Sequence, residues 1–231
     1  MLILGIETAT VKAGCAIGGH EGVLASAHCA RGRRHAENLT PQIEFICHQA
    51  GIELSDIGLV AVDVGPGLFT GLRVGVSAAK AIAFALSVPM IAVCSLDLLA
   101  FTVRYSPRLI VAAIDARRGE LYYAFYRQVP GGVQRISEQL LGTPDDLASE
   151  LLATNDEVLL VGDGARRYSE VFEGLARVEH AEIGNSYPSA SSLVQLAHPR
   201  AMREEFEQPE AIGPIYLRRP DAEINWSTRN G

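Results

Sequence analysis

Short apolar runs open the chain. Leu2 to Glu7, Ala13 to Gly18 and Gly22 to Cys29 are β-compatible stretches parted by glycine- and hydroxyl-rich turns, a pattern that predicts three strands in a meander. From Asn38 to Ala50 the period changes. Leu39, Ile43, Ile46, Cys47 and Ala50 fall on one helical face, and Thr40-Pro41 suits a first turn, so the helix is expected to start between Asn38 and Thr40. A continuous apolar strand, Ile57 to Val64, then runs into Gly65-Pro66-Gly67. A long apolar helix from about Thr70 to Ser87 and a strand from Val88 to Val93 follow. Strand, helix, strand in this order implies parallel pairing through a crossover helix. Ser95 is a candidate cap for a helix over Leu96 to Tyr105.

The second half repeats the first. Leu109 to Ile114 reads as a strand, Asp115-Ala116-Arg117-Arg118-Gly119 as a turn, and Glu120 to Tyr126 as the returning strand, so that Glu7 and Asp115 each end the first strand of a hairpin. A third strand near Val133 to Leu141 comes next, followed by a helix capped by Thr143 or Asp145. The strand Val158 to Val161, a helix after Gly162-Asp163-Gly164, and a last helix from Ser189 to about Glu207 complete the copy. The chain therefore reads as a duplicated α/β unit in two lobes, residues 1–105 and 106–231, divided at Ser106-Pro107-Arg108.

Composition supports a folded, metal-independent core: 231 residues, 48% hydrophobic and 20% charged, can bury enough surface without disulfides. Cys15, Cys29, Cys47 and Cys94 never form a Cys-x-x-Cys pair, which makes them core residues of a reducing compartment. The longest apolar run, Val74 to Met90, is interrupted by Ser77, Lys80, Ser87 and Pro89, so we expect a core helix and no membrane association. Nothing at the amino end marks the chain for export, and the expected location is cytoplasmic. The net charge of −7 leaves no global basic surface for a polyanion; the local groups are Arg31, Arg33 and Arg34, Arg117 and Arg118, and Arg218 and Arg219, each readable as solvated loop charge.

Residues 65–75, GPGLFTGLRVG, form the most specific stretch. It is neither a P-loop nor a Gly-x-Gly-x-x-Gly turn. Gly71, Gly75, Ala79 and Ala83 recur every fourth residue and make a low ridge that another helix can approach closely, either within the chain or on a partner. Glu7 with Thr8 and Thr10 is a candidate contact for a magnesium-bound phosphate, or else an ordinary polar turn. Arg73 is either an anion contact or a rim residue. His20, His35, His48, His180 and His198 show no ligand spacing, and no Gly-x-Ser-x-Gly elbow occurs, so no metal or nucleophile site is expected.

GPGLFTGLRVG, together with Gly5-Ile6-Glu7-Thr8-Ala9-Thr10, Arg34-His35-Ala36-Glu37-Asn38-Leu39-Thr40-Pro41 and Ile114-Asp115-Ala116-Arg117-Arg118-Gly119-Glu120, closely resembles the TsaB (YeaZ) family in order and spacing over most of residues 2 to 165. The resemblance implies the actin-like ATPase (ASKHA) superfamily fold, with two lobes that each carry a mixed five-stranded sheet and flanking helices. It implies a non-catalytic scaffold that works with a catalytic TsaD-type subunit and a TsaE-type ATPase. Their joint task is threonylcarbamoylation of the adenosine next to the anticodon in tRNAs reading ANN codons. The catalytic sister carries a His-x-x-x-His metal pair where this chain reads Val93-Cys94-Ser95-Leu96-Asp97-Leu98-Leu99, so the chemistry is expected in another chain. No firmly bound cofactor is implied, although ATP or ADP with magnesium has a place at the complex interface; tRNA is met through the complex. The resemblance assigns the partner interface to Leu39, Ile43, Ile46 and Cys47 and to Gly71, Leu72, Val74 and Gly75. It thereby turns the small ridge outward, so that Gly75→Leu is expected to block the heterodimer and spare the fold. The same ridge also allows a homodimer in isolation. The alternative function is an actin-like ATP-dependent phosphotransferase using Glu7 and Asp115.

Overall fold

The computed structural model describes residues 1–30 and 35–218. Arg31, Arg33, Arg34 and Arg219 therefore lie outside the described residues. The three predicted opening strands form as β1 (Leu2–Glu7), β2 (Ala13–Gly19) and β3 (Gly22–Cys29). Helix α1 (His35–Ala50) is followed by β4 (Ile57–Asp63), α2 (Phe69–Leu86) and β5 (Met90–Val93). The sheet order is β3-β2-β1-β4-β5, with the meander antiparallel and the β1-β4-β5 side parallel. Two boundaries differ from expectation. Helix α1 reaches back to His35 because the imidazole Nε2 meets the Thr10 carbonyl at 2.9 Å in a buried site. Pro41 is then interior, but it and Glu37, whose carbonyl loses a donor, face solvent.

Helix α3 (Ser95–Thr102) takes Cys94, not Ser95, as its N-cap, since the Ser95 hydroxyl is committed to Asp63. The second sheet is built from β6 (Leu109–Arg117), β7 (Glu120–Val129), β8 (Gly132–Arg135), β9 (Leu140–Gly142), β10 (Val158–Val161) and β11 (Val178–His180). Its path, β11-β10-β6-β7-β8, repeats the topology of the first sheet. The expected single third strand is split, β8 and β9 pairing with different parts of β7, so this sheet has six strands rather than five. Between β9 and β11 lie α4 (Pro144–Ala153), capped by the Thr143 hydroxyl, and two short helices, α5 (Asp163–Arg167) and α6 (Ser169–Phe172). The last helix, α7 (Ala190–Met202), stops five residues before the expected Glu207.

Packing crosses the expected lobe boundary. Helices α1 and α2 cover one face of the first sheet through Leu39, Ile43, Ile46, Val76, Ala79 and Ala83. The other face is covered by Leu193, Val194, Ala197 and Ala201 of α7, although α7 lies in the range assigned to the second lobe. Conversely, α3, drawn from residues 1–105, packs Leu96, Leu99 and Ala100 on Ile110, Ala112 and Tyr126 of the second sheet. Each half thus lends a helix to the other, and a break at residue 106 does not separate two cores. Each fully buried Leu or Ile in these layers contributes about 1.5–3 kcal/mol relative to exposure. Two mixed sheets holding α3 and α7 between them form the actin-like architecture that the resemblance implied. A C-terminal segment then runs along the edge: Glu207 pairs with Met90, the Ile215 amide donates to the Val64 carbonyl at 2.7 Å, and Arg218 Nη1 donates to the Ala116 carbonyl at 3.1 Å.

Candidate functional site

The two hairpin turns face one another where the lobes meet. In the first, Glu7 ends β1 beside Asp63 at the end of the parallel neighbour β4. Glu7 Oε1 accepts from the Ala9 amide at 2.8 Å; Asp63 Oδ1 accepts from the Gly65 amide at 2.8 Å and the Ser95 hydroxyl at 2.6 Å, while its Oδ2 has no partner. Burial, and then the nearby Asp63 carboxylate, hold the Glu7 carboxyl well above the usual range. Burial likewise pushes Asp63 up to about 7. The hydroxyls beside Glu7 are occupied too. Thr8 donates to the Gly71 carbonyl at 2.7 Å, and Thr10 is 2% exposed with its hydroxyl turned to the Lys12 backbone. Glu7, Thr8 and Thr10 are therefore brought together, as internal braces closed to a phosphate.

The glycine ridge explains that closure. A Cβ on Gly71 would stand 2.2 Å from the Thr8 carbonyl oxygen, and one on Gly75 would stand 2.2 Å from Thr8 Oγ1. The missing side chains let the first hairpin turn lie directly on α2. The ridge expected to face a partner is turned inward here: Gly71, Leu72, Gly75, Ala79 and Ala83 are all buried within the chain. Leu39, Ile43, Ile46 and Cys47 are likewise core residues of α1, and of the eight expected interface residues only Val74 is half-buried. The open side of the same two helices is another set: Arg73, Ser77, Ala81, Phe84 and Ala85 on α2, and Thr40, Glu44, Phe45 and His48 on α1. Phe84 is 83% exposed and Phe45 55%. Both were overlooked because they fall out of phase with the buried stripe; an apolar side chain out of phase on an amphipathic helix was the available signal. Helix α2 is also long and apolar enough to cross a membrane by length and composition alone, yet here it lies on a sheet.

At the amino end of α2, Arg73 lies 3.8 Å from the Phe69 ring centroid and donates to the Tyr216 hydroxyl at 3.0 Å, a rim role. Beside this cluster is a cavity of about 940 Å³ lined by Val11, His35, Leu68, Phe69, Val74 and Arg117, among others.

The second hairpin is built differently. Arg117, Arg118 and Gly119 are all left-handed, with φ of 64°, 58° and 79°. Asp115 accepts from the Arg117 amide and guanidinium, both at 2.9 Å, and Arg167 Nε lies 3.4 Å away. The Asp115 amide donates to Asp163, which burial pushes up to about 6. Between the two hairpins, the gap lined by Thr10, Val11, Leu68, Asp115, Arg117 and Asp163 has no room for a water molecule. Where a catalytic relative is expected to hold a metal, the Cys94 thiol, raised by burial to about 12, receives Gln139 Nε2 at 3.1 Å, and Asp97 receives the Tyr126 hydroxyl at 2.8 Å.

A family model described as TsaD, tRNA N6-adenosine threonylcarbamoyltransferase, matches residues 28–226. The chain is 29% identical to the tRNA threonylcarbamoyladenosine biosynthesis protein TsaB of Bacillus subtilis, over 98% of both chains. It is 36% identical to an uncharacterized protein of Mycobacterium leprae over 96% of its own length, and spans 56% of that longer relative. Among solved structures, YeaZ from Pseudomonas aeruginosa superposes with a TM-score of 0.80 at 27% identity, over 94% of this chain and 99% of that one.

Proposed function

This chain belongs to the TsaB (YeaZ) family, and on that premise we propose that it is the non-catalytic partner subunit in tRNA threonylcarbamoyladenosine biosynthesis. In this reading a TsaD-type subunit carries the metal and the reaction, and a TsaE-type ATPase completes the machinery. The product is the modified adenosine next to the anticodon in tRNAs reading ANN codons. The observation that carries the reading is the open face of α2, where Ser77, Ala81 and Ala85 leave a shallow surface beside the 83% exposed ring of Phe84. Small side chains permit close helix approach, and a lone exposed aromatic is the kind of anchor that fills a pocket across an interface. Two copies of this chain can pair through the same face when the catalytic partner is missing. The engaged thiol of Cys94 and carboxyl of Asp97 support the assignment of chemistry to another chain, because neither is presented as a metal ligand. The filled gap between the hairpins and the buried, hydrogen-bonded Glu7 and Thr8 weigh against a phosphotransferase. ATP or ADP with magnesium would then be held jointly at the complex interface, and the working compartment would be the cytoplasm, where tRNA is modified.

The test is Ala81→Arg with Phe84→Asp. These changes on an exposed face should leave the melting temperature unchanged and abolish co-elution with the catalytic paralogue from the same cell, together with tRNA modification in the reconstituted mixture. A complex that persists through both substitutions would refute the assigned face, and modification by this chain alone would refute the non-catalytic role.

A further inference from the structure

The fold gathers arginines that the sequence keeps apart. Arg117, from the β6-β7 turn, and Arg166 and Arg167, from α5, line one open cavity of about 430 Å³ in the second lobe, with Tyr187 and the exposed Ile183 on its rim. Asp115 is shared by Arg117 at 2.9 Å and Arg167 at 3.4 Å. Burial keeps the other acid, Asp163, protonated over more of the pH range than a free aspartate. Three guanidinium groups against the carboxyls of Asp115 and Asp163 leave a local positive excess of one on a chain whose net charge is −7. The turn that presents Arg117 holds two successive arginines left-handed, a conformation unfavourable for any non-glycine residue, which local packing must offset.

We propose that this wall is a contact for the phosphodiester backbone of an RNA. Arginine presents planar, forked donors that suit phosphate oxygens. The Arg117 and Arg167 side chains are 48% and 57% exposed, an open rim along which a strand can pass. Tyr187 adds an aromatic surface beside the arginines, the pairing that single-stranded segments use for base stacking. The inner end is closed by the waterless gap at Val11 and Arg117, so a phosphate entering here stays on the rim and does not reach Glu7 or Thr8. A small nucleotide gains one such contact, whereas a polymer gains several. The inference rests on the proposed function only for the identity of the RNA, a tRNA of the modified class.

The experiment measures binding of labelled tRNA to the full chain, alone and with the catalytic paralogue, over a series of salt concentrations. Arg166→Ala with Arg167→Ala should weaken binding about tenfold and reduce the slope of log affinity against log salt by about 1.4, the equivalent of two lost phosphate contacts. Arg166→Lys should retain most of the slope, and Arg203→Ala, an arginine paired with Glu205 past the end of α7, should change nothing. Melting temperatures of all variants separate lost contact from lost fold. An unchanged slope in a folded double variant overturns the proposal, as does displacement of the bound tRNA by ATP or inorganic phosphate at concentrations comparable to that of the tRNA. Co-elution with the paralogue, followed in parallel, should be insensitive to these arginines. Loss of co-elution by the unsubstituted chain would refute the subunit role and leave the RNA contact standing.

Discussion

The two hairpins descend from the same local plan and end as opposites. Each begins with a strand that closes on an acid, Glu7 or Asp115, and returns antiparallel beside it. In the first, the turn is pulled inward: Glu7, Thr8 and Thr10 are buried, and two glycines of α2 make room for it. In the second, the turn is pushed outward by three left-handed residues, and its arginines reach solvent. The difference shows what a duplicated hairpin keeps, the strand pairing and the acid, and what is free to diverge, the volume available behind the turn. Glycines of α2 admit the first turn itself, which becomes a brace; Gly164 of α5 comes close only to Ile114 and Asp115 before the second turn, which remains a surface.

The sharpest way to test the inward turn is through its buried carboxyls. Asp63 holds its proton in the folded state up to about pH 7, while an unfolded aspartate releases it near its ordinary value of 3.8. The associated stability is complete below pH of about 4 and declines as pH rises to 7, by roughly 4 kcal/mol in all. Asp63→Asn should abolish most of this decline, so that the variant outlasts the parent at pH 8; parallel melting curves from pH 4 to 9 would break the account. Next in size is Gly75→Leu, which drives a side chain into Thr8 and should cost about 3 kcal/mol or more in chemical denaturation, well before any partner is considered. If that variant is as stable as the parent and fails only in pairing, the ridge belongs to the interface after all. The smallest effect concerns the outward turn. At Arg118, with φ of 58°, glycine should be more stable than alanine by about 1 kcal/mol, since both remove the side chain and only glycine relieves the backbone. Equal stabilities would show that the turn carries no strain.

Much of the fold is legible in the sequence. Strand periods place β1 to β4 within a residue, and the echo between Glu7 and Asp115 reveals the duplication before any coordinates. Hydrophobic period says which residues share a face, but not which surface that face meets. For this reason the pattern does not tell which sheet α3 and α7 cover, nor that Gly71 and Gly75 sit on Thr8. A ridge without side chains fits any close neighbour, internal or external, and only the three-dimensional arrangement decides. The arginine cavity was invisible for a related reason: Arg117 and Arg167 are brought together by Asp115, a contact between distant stretches of chain that no local spacing encodes. Phe84, by contrast, was readable, since a large apolar residue off the buried stripe is already anomalous in the sequence.

The exchange of α3 and α7 carries a mechanical consequence. Leu98 of α3 faces the α7 side while its neighbours Leu96 and Leu99 grip the second sheet, so the two exchanged helices lie back to back at the centre of the molecule. Opening the jaws of such a clamp would mean one helix gliding over the other, with the C-terminal ribbon from Glu207 to Arg218 acting as a tether that bounds the travel. A polypeptide cut after β5 would yield one fragment with an oily sheet face laid bare and another with the apolar side of α7 laid bare, and these would persist in solution only by re-embracing.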